Sequence, residues 1–320
     1  MSTFDMVELQ GIVPPILTPF TPDEQVDLHS LARLTRWLIH QGVHGIWACG
    51  TTGEFASLSA DDREDVIGTC VENTTGRVPV VANIADCGTK LTIEHGKRAL
   101  RAGADAVAAT PPYYYLNSQD ELLDHYRAIR EAVDAPLFVY NIPSTVKTKV
   151  EVDTIVTLAA EGTVVGVKDS QGDMDFARSL VTQAKARGAA LRVFLGTRSL
   201  IDAAILLRSD GCIPGLANVA PRACVDAYKA ATQGDWSASA DAQARAVATL
   251  ALGRTIKGSV QAANLGGMKA ALKAMGIIAH SRLSAPLRSP TPAEEETIAG
   301  LVPELGLLAP TGSSNGRARK

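Results

Sequence analysis

With 320 residues, 46% of them hydrophobic, the chain can bury a large core, as one α/β barrel of roughly 250 residues with an appendage or as two domains. A formal net charge of -3, with lysine and arginine scattered along the chain, argues against nucleic acid as a partner. Five cysteines without a C-x-x-C pair point to a reducing compartment with thiols in or near the core; an acidic N-terminus and no apolar run near ~18 residues exclude a signal peptide and a membrane span, so a soluble cytoplasmic protein is expected.

Two kinds of segment alternate along the chain. Strand-like runs occur at Ile12 to Leu17, Val43 to Ala48, Val78 to Asn83, Ala106 to Thr110, Pro136 to Tyr140, Val164 to Lys168, Leu191 to Leu195 and Gly211 to Ile213. Helical patterns lie between and after them, at Leu28 to His40, Ala60 to Asn73, Thr89 to Arg101, Gln119 to Val133, Val152 to Ala160, Met174 to Lys185, Leu200 to Leu207 and Arg222 to Ala231. Ser59 stands three residues before Asp62 like a capping box, and Gly42, Gly103 and Gly188 follow helix ends. Eight strand-then-helix units spaced by roughly 25 to 35 residues predict a (β/α)8 TIM barrel over 1–232, with an open doubly wound sheet as the alternative that counting does not remove.

Beyond Thr232 the strand signal ends. Trp236 to Leu252, Ser259 to Met275 and Ala293 to Leu301 predict three helices in a C-terminal helical appendage over 233–309, and the small, polar, basic residues 310–320 predict a disordered tail.

Barrel chemistry sits at the C-terminal strand ends, and polar residues collect there. Thr163-Val-Val-Gly-Val-Lys168 is a buried strand pattern that delivers an amine to such an end. Desolvation disfavours the charged ammonium and frees a neutral amine to attack a ketone. The second strand ends in Gly50-Thr51-Thr52-Gly53-Glu54, whose hydroxyls and turn amides suit a carboxylate, although an ordinary turn and helix cap would use the same residues. Pro111-Pro-Tyr-Tyr-Tyr115 and Tyr140-Asn-Ile-Pro-Ser144 bring phenols, which shuttle protons beside a Schiff base or serve only in packing.

These four motifs, GTTGE at 50–54, PPYYY at 111–115, YNIPS at 140–144 and GVKDS at 166–170, resemble in order and spacing those of the dihydrodipicolinate synthase/N-acetylneuraminate lyase family. The likeness runs from Gly11-Ile-Val-Pro-Pro to Gly267-Met-Lys-Ala-Ala. It implies a class I mechanism in which Lys168 forms a Schiff base with pyruvate, with no metal and no other cofactor. Tyr140 would be the general acid/base, Thr51 and Thr52 would hold the carboxylate beside Gly50, and Thr51 would link Tyr140 to Tyr114 in a proton relay. The resemblance places Tyr114 across a dimer interface and implies a homotetramer built as a dimer of dimers. Ser170 and the backbone near Ile213 match pocket positions.

Two departures bear on the substrate. The family's synthases carry an arginine after Pro-Ser of the fifth-strand motif, and Thr145 stands there, with Lys147 two residues on; a lysine lacks the bidentate grip of a guanidinium. Sialic acid lyases carry acidic residues soon after the seventh-strand glycine, where this chain has Gly196-Thr-Arg198-Ser199; Arg198 suits an anionic or polyhydroxylated distal end, or is simply solvated. The runs Val167-Lys-Asp-Ser-Gln-Gly-Asp173 and Gly211-Cys-Ile-Pro-Gly-Leu-Ala-Asn218 resemble those of members that act on 2-oxo-3-deoxy sugar acids and related 2-oxo acids, and this resemblance implies a lyase that cleaves or dehydrates such a substrate. The alternatives are 4-hydroxy-tetrahydrodipicolinate synthase, joining pyruvate to aspartate semialdehyde, and a non-catalytic 2-oxo acid binding protein. Six dispersed histidines and the absence of G-x-x-x-x-G-K-[ST] argue against metal and nucleotide chemistry.

Overall fold

Short apolar runs pair side by side because, in a parallel sheet covered by helices, both faces of each strand can be buried. The computed structural model describes residues 4–307 and contains β1 (Gly11–Ile12), β2 (Ile46–Ala48), β3 (Val80–Asn83), β4 (Ala106–Ala109), β5 (Leu137–Asn141), β6 (Gly166–Asp169), β7 (Arg192–Leu195) and β8 (Gly211–Cys212). All neighbours are parallel in the order β1-β8-β7-β6-β5-β4-β3-β2. The remaining seam closes through the bridge between Pro15 and Trp47, where Trp47 N donates to Pro14 O at 2.9 Å and Ile16 N to Trp47 O at 3.0 Å. The sheet is thus a closed barrel, not an open sheet. β1 is shorter than the expected Ile12 to Leu17 because Pro14 and Pro15 have no N–H to give to a ladder.

Around the barrel run α1 (Leu28–His40), α2 (Ala60–Thr74), α3 (Thr89–Arg101), α4 (Gln119–Ala132), α5 (Pro143–Val146), α6 (Val152–Ala160), α7 (Met174–Ala186), α8 (Ile201–Leu206) and α9 (Pro221–Thr232). Ser59 and Asp62 form the expected capping box on α2, and Gly42, Gly103 and Gly188 take φ of +88°, +92° and +64° just past helix ends. The one-turn helix α5 is an addition to the expected set; Pro143 presets its first residue.

Inward-facing side chains stack as Trp47, Phe138, Tyr140, Phe194 and Ile213, and Met6 and Leu9 belong to the same buried cluster. Gly166 makes room for this packing, since a Cβ there would lie 2.3 Å from Phe138 Cε1. Four thiols, Cys49, Cys70, Cys212 and Cys224, are buried; Cys87 is exposed, against the expectation that all lie in or near the core.

The appendage consists of α10 (Trp236–Ala248), α11 (Ala251–Thr255), α12 (Val260–Ala274) and α13 (Pro292–Glu304). The single helix expected over Trp236 to Leu252 breaks at Thr249, whose hydroxyl turns back to Ala246 O at 2.6 Å. α12 crosses α11 closely, for a Cβ on Gly267 would lie 2.6 Å from the Leu252 carbonyl. The predicted tail at 310–320 lies outside the described residues. No described helix is long and apolar enough to cross a membrane.

Candidate active site

β6 carries Val167 outward into the helix layer, and strand alternation therefore turns Lys168 into the barrel. Its Nζ lies 3.9 Å from the ring centroid of Tyr140, its register partner on β5, and 4.9 Å from that of Trp47 on β2. Ring faces favour the ammonium by about 0.5–2 kcal/mol, but burial acts the other way and wins: with Lys168 3% exposed, desolvation pushes it down from the usual lysine value to about 7. Near neutral pH a large share of the molecules then hold a free amine facing the cavity.

The Tyr140 hydroxyl lies 3.1 Å from Thr51 Oγ1. Burial raises the phenol above its ordinary value, and hydrogen bonding with the Thr51 and Ser170 hydroxyls partly offsets that. A protonated phenol next to a partly neutral lysine is a proton donor beside a nucleophile.

The turn after β2 is closed by Gly53 N to Gly50 O at 3.0 Å and Glu54 N to Thr51 O at 3.2 Å, and is held from below by Thr18 Oγ1 donating to Gly53 O at 2.7 Å. Among the described residues nothing accepts from the amides of Thr51 and Thr52, and both residues line the same cavity as Lys168, where turn amides and hydroxyls suit an anion. Gly50 shapes this turn from behind, because a Cβ there would press on Trp47 Cδ1 at 3.1 Å.

A cavity of about 260 Å³ joins these groups. Of the residues singled out in the sequence, Thr51, Thr52, Tyr140, Lys168, Ser170, Arg198 and Ile213 line it. Ser170 reaches it because Gly196 leaves room: a Cβ there would be 2.0 Å from Ser170 Oγ. Arg198 is exposed at the rim without a carboxylate partner among the described residues.

Tyr114, Thr145 and Lys147 do not join. Tyr114 is 81% exposed, at φ +94°, and stacks edge-on with Tyr115; within one chain it makes no relay to Thr51. Thr145 is exposed on α5, and Lys147 is exposed just beyond it, so neither lines the cavity.

The sequence reading missed the roof. Thr249 and Leu250 from the break between α10 and α11, and Gln261, Asn264, Leu265 and Met268 from α12, close the cavity. The helical spacing 261, 264, 265, 268 was the available signal. It also missed what fastens the roof: Lys269 Nζ donates to Glu54 Oε1 at 2.5 Å and to Arg282 O at 2.9 Å, and Ser284 donates to Glu54 Oε2 through N at 2.9 Å and Oγ at 2.7 Å. The glutamate of the GTTGE motif is thus a buried tie to the appendage rather than a substrate ligand.

The family model for the dihydrodipicolinate synthetase family matches residues 8–304. An uncharacterized DapA-like lyase of Halobacterium salinarum is 33% identical over 304 residues, 95% of this chain and 96% of that protein. The 4-hydroxy-tetrahydrodipicolinate synthase of Sphingopyxis alaskensis is 37% identical over 227 residues, 71% of this chain and 77% of that one. Among solved structures, the dihydrodipicolinate synthase of Acinetobacter baumannii complexed with pyruvate superposes with a TM-score of 0.84 at 31% identity, covering 94% of this chain and 100% of that one. YagE, a prophage protein of E. coli K12 in complex with pyruvate, gives 0.85 at 26% identity over 93% and 99%. With the barrel, the strand-end lysine and phenol, and matches that run from the first strand to the last helix, this chain belongs to the dihydrodipicolinate synthetase family.

Proposed function

We propose that the protein is a class I lyase that binds pyruvate and longer 2-oxo acids as a Schiff base on Lys168. The observation that carries this is the buried amine of Lys168 at 3.9 Å from the Tyr140 ring, lowered to about 7 and opening on a cavity lined by Thr51 and Thr52. Neutral Nζ adds to the ketone carbon and one amine proton passes by way of Tyr140 to the oxygen to give a carbinolamine; a second proton, taken up from solvent through Tyr140, lets that hydroxyl leave as water and leaves a protonated iminium on Lys168. The iminium takes up the electron pair of the C3–C4 bond as the C4 hydroxyl gives up its proton and the distal part leaves as an aldehyde; the enamine then accepts a proton at C3, and water hydrolyses the iminium to release pyruvate and free Lys168. The substrate itself supplies the electron sink, so the reading requires no separate cofactor.

We favour a 2-oxo-3-deoxy sugar acid or related 2-oxo acid. Arg198, Gln261 and Asn264 are polar residues of the cavity lining that suit a hydroxylated or anionic distal group. The synthase reading draws support from the names of relatives such as the Sphingopyxis alaskensis protein, but exposed Thr145 offers no guanidinium to a second carboxylate. Exposed Tyr114, Tyr115 and Leu116 form an apolar face that suits a second copy of the chain, and a dimer of dimers in a cytoplasmic setting completes the proposal.

Borohydride reduction in the presence of pyruvate, followed by peptide mapping, tests the mechanism: the adduct is expected on Lys168 and absent in Lys168→Ala. Turnover of a 2-oxo acid panel distinguishes lyase from synthase, and ligand binding without adduct or turnover would favour the non-catalytic binding protein.

A further inference from the structure

A second cavity, of about 670 Å³, shares no lining residue with the first. It is walled by α1, α9 and α10 and by the chain just past the ends of α12 and α13.

Four guanidinium groups, those of Arg33, Arg36, Arg222 and Arg245, line it against one carboxylate, Asp226. Arg222 Nε pairs with Asp226 Oδ1 at 3.0 Å, which accounts for that acid. The other arginines meet only neutral acceptors: Arg33 donates to Ile277 O and Ser30 Oγ, both at 3.0 Å, and Arg36 donates to Asn73 Oδ1. Arg36 and Arg245 have no ion-pair partner among the described residues, whereas Arg33 lies in the field of the Asp27 carboxylate, which accepts from the same Ser30 hydroxyl at 2.6 Å; two positive charges thus face the cavity without a paired acid.

Helix ends adjust this balance without reversing it. α1, α12 and α13 end at the wall, each contributing about half a negative charge, whereas α9 begins there with about half a positive charge. Pro221 at the start of α9 has no N–H and Ala220 before it has no side-chain acceptor, so only the amides of Arg222 and Ala223, both residues of the cavity wall, are left uncapped there. Trp37, Pro221, Met275, Ile277 and Leu305 supply an apolar wall beside the charges.

We infer that this cavity binds a small organic anion with at least two negative charges, as a phosphate or paired carboxylates, on an apolar body. The charges are held by Arg36, Arg245 and the free donors of Arg33, and the body lies on Trp37 and Ile277. The volume suits a metabolite-sized ligand and exceeds what an inorganic ion would fill.

Isothermal titration of the full chain with phenyl phosphate and with isophthalate tests this, with inorganic phosphate and benzyl alcohol as controls. One site per chain is expected for at least one of the two dianions, and which of them binds tighter identifies the head group. Arg36→Gln and Arg245→Gln replace exposed side chains, so the fold is undisturbed. Each should weaken binding at least tenfold, and Thr51→Val in the first cavity should leave it unchanged. No binding of either dianion at millimolar concentration, equal affinity for inorganic phosphate, or affinity untouched by both arginine variants would overturn the inference. A change of sedimentation in the double variant without a change of affinity would assign the face to an interface between copies instead.

Discussion

Lys168 and Tyr140 are register partners on neighbouring strands, so the parallel ladder itself sets the amine 3.9 Å from the phenol ring. Neither group depends on a loop for its position. On the proposed mechanism the nucleophile and its proton-transfer partner are therefore in place before substrate arrives, which removes an ordering step.

The first consequence is a pH profile. Burial lowers Lys168 to about 7, so the reactive free amine grows as pH rises through that value and levels off above it. The kcat/KM for a 2-oxo acid, and the rate of borohydride inactivation with pyruvate, should rise through a midpoint near 7. The stability sign follows from the same shift: between about 7 and the ordinary lysine value the unfolded chain holds a proton that the folded chain has lost, so stability increases with pH across that window. A rate midpoint at the ordinary lysine value would refute the desolvated amine.

Tyr140→Phe keeps the ring against Lys168 and removes only the hydroxyl bonded to Thr51 at 3.1 Å. Turnover should fall by about 10²- to 10⁴-fold, the usual worth of a positioned acid or base. Folding stability should change by no more than about 2 kcal/mol, that of the hydrogen bonds with Thr51 and Ser170. Single-turnover trapping and urea denaturation measure the two. Wild-type rates would remove Tyr140 from the mechanism.

Lys269→Met leaves the Glu54 carboxylate buried with only Ser284 to hold it. Breaking one partner of such a pair costs about 3–5 kcal/mol, while replacing both, as Glu54→Gln with Lys269→Met, should recover most of the loss. Urea unfolding of the two variants gives the comparison. Equal stability of single and double variants would show that the pair is not coupled.

Arg198→Ala should leave the pyruvate adduct intact, because the guanidinium stands at the rim and not at the anion nest. For 2-oxo acids with an anionic or polyhydroxylated distal end, KM should rise about tenfold or more, as loss of a charge-assisted hydrogen bond of ~1.5–3 kcal/mol implies. Steady-state kinetics on pyruvate-yielding substrates of both kinds decide it; equal effects on all substrates would place Arg198 outside recognition.

Local chemistry is legible in the amino-acid sequence. The eight apolar runs, the glycines past helix ends, the Ser59 capping box and the strand that delivers Lys168 follow from side-chain period and backbone preference, which act within a few residues. Closure of the barrel is not, since it rests on hydrogen bonds between Pro14, Ile16 and Trp47, roughly 30 residues apart in the chain. The short β1 and the break at Thr249 escape for a related reason: a proline's missing donor and a turned hydroxyl matter only once a neighbour is in place. The sequence by itself determined the barrel's units and the amine and phenol of the site. Only the tertiary structure decided that α12 roofs the cavity, that Glu54 is a tie to Lys269, and that Tyr114 and Thr145 face away, because these depend on which distant surfaces exclude water together.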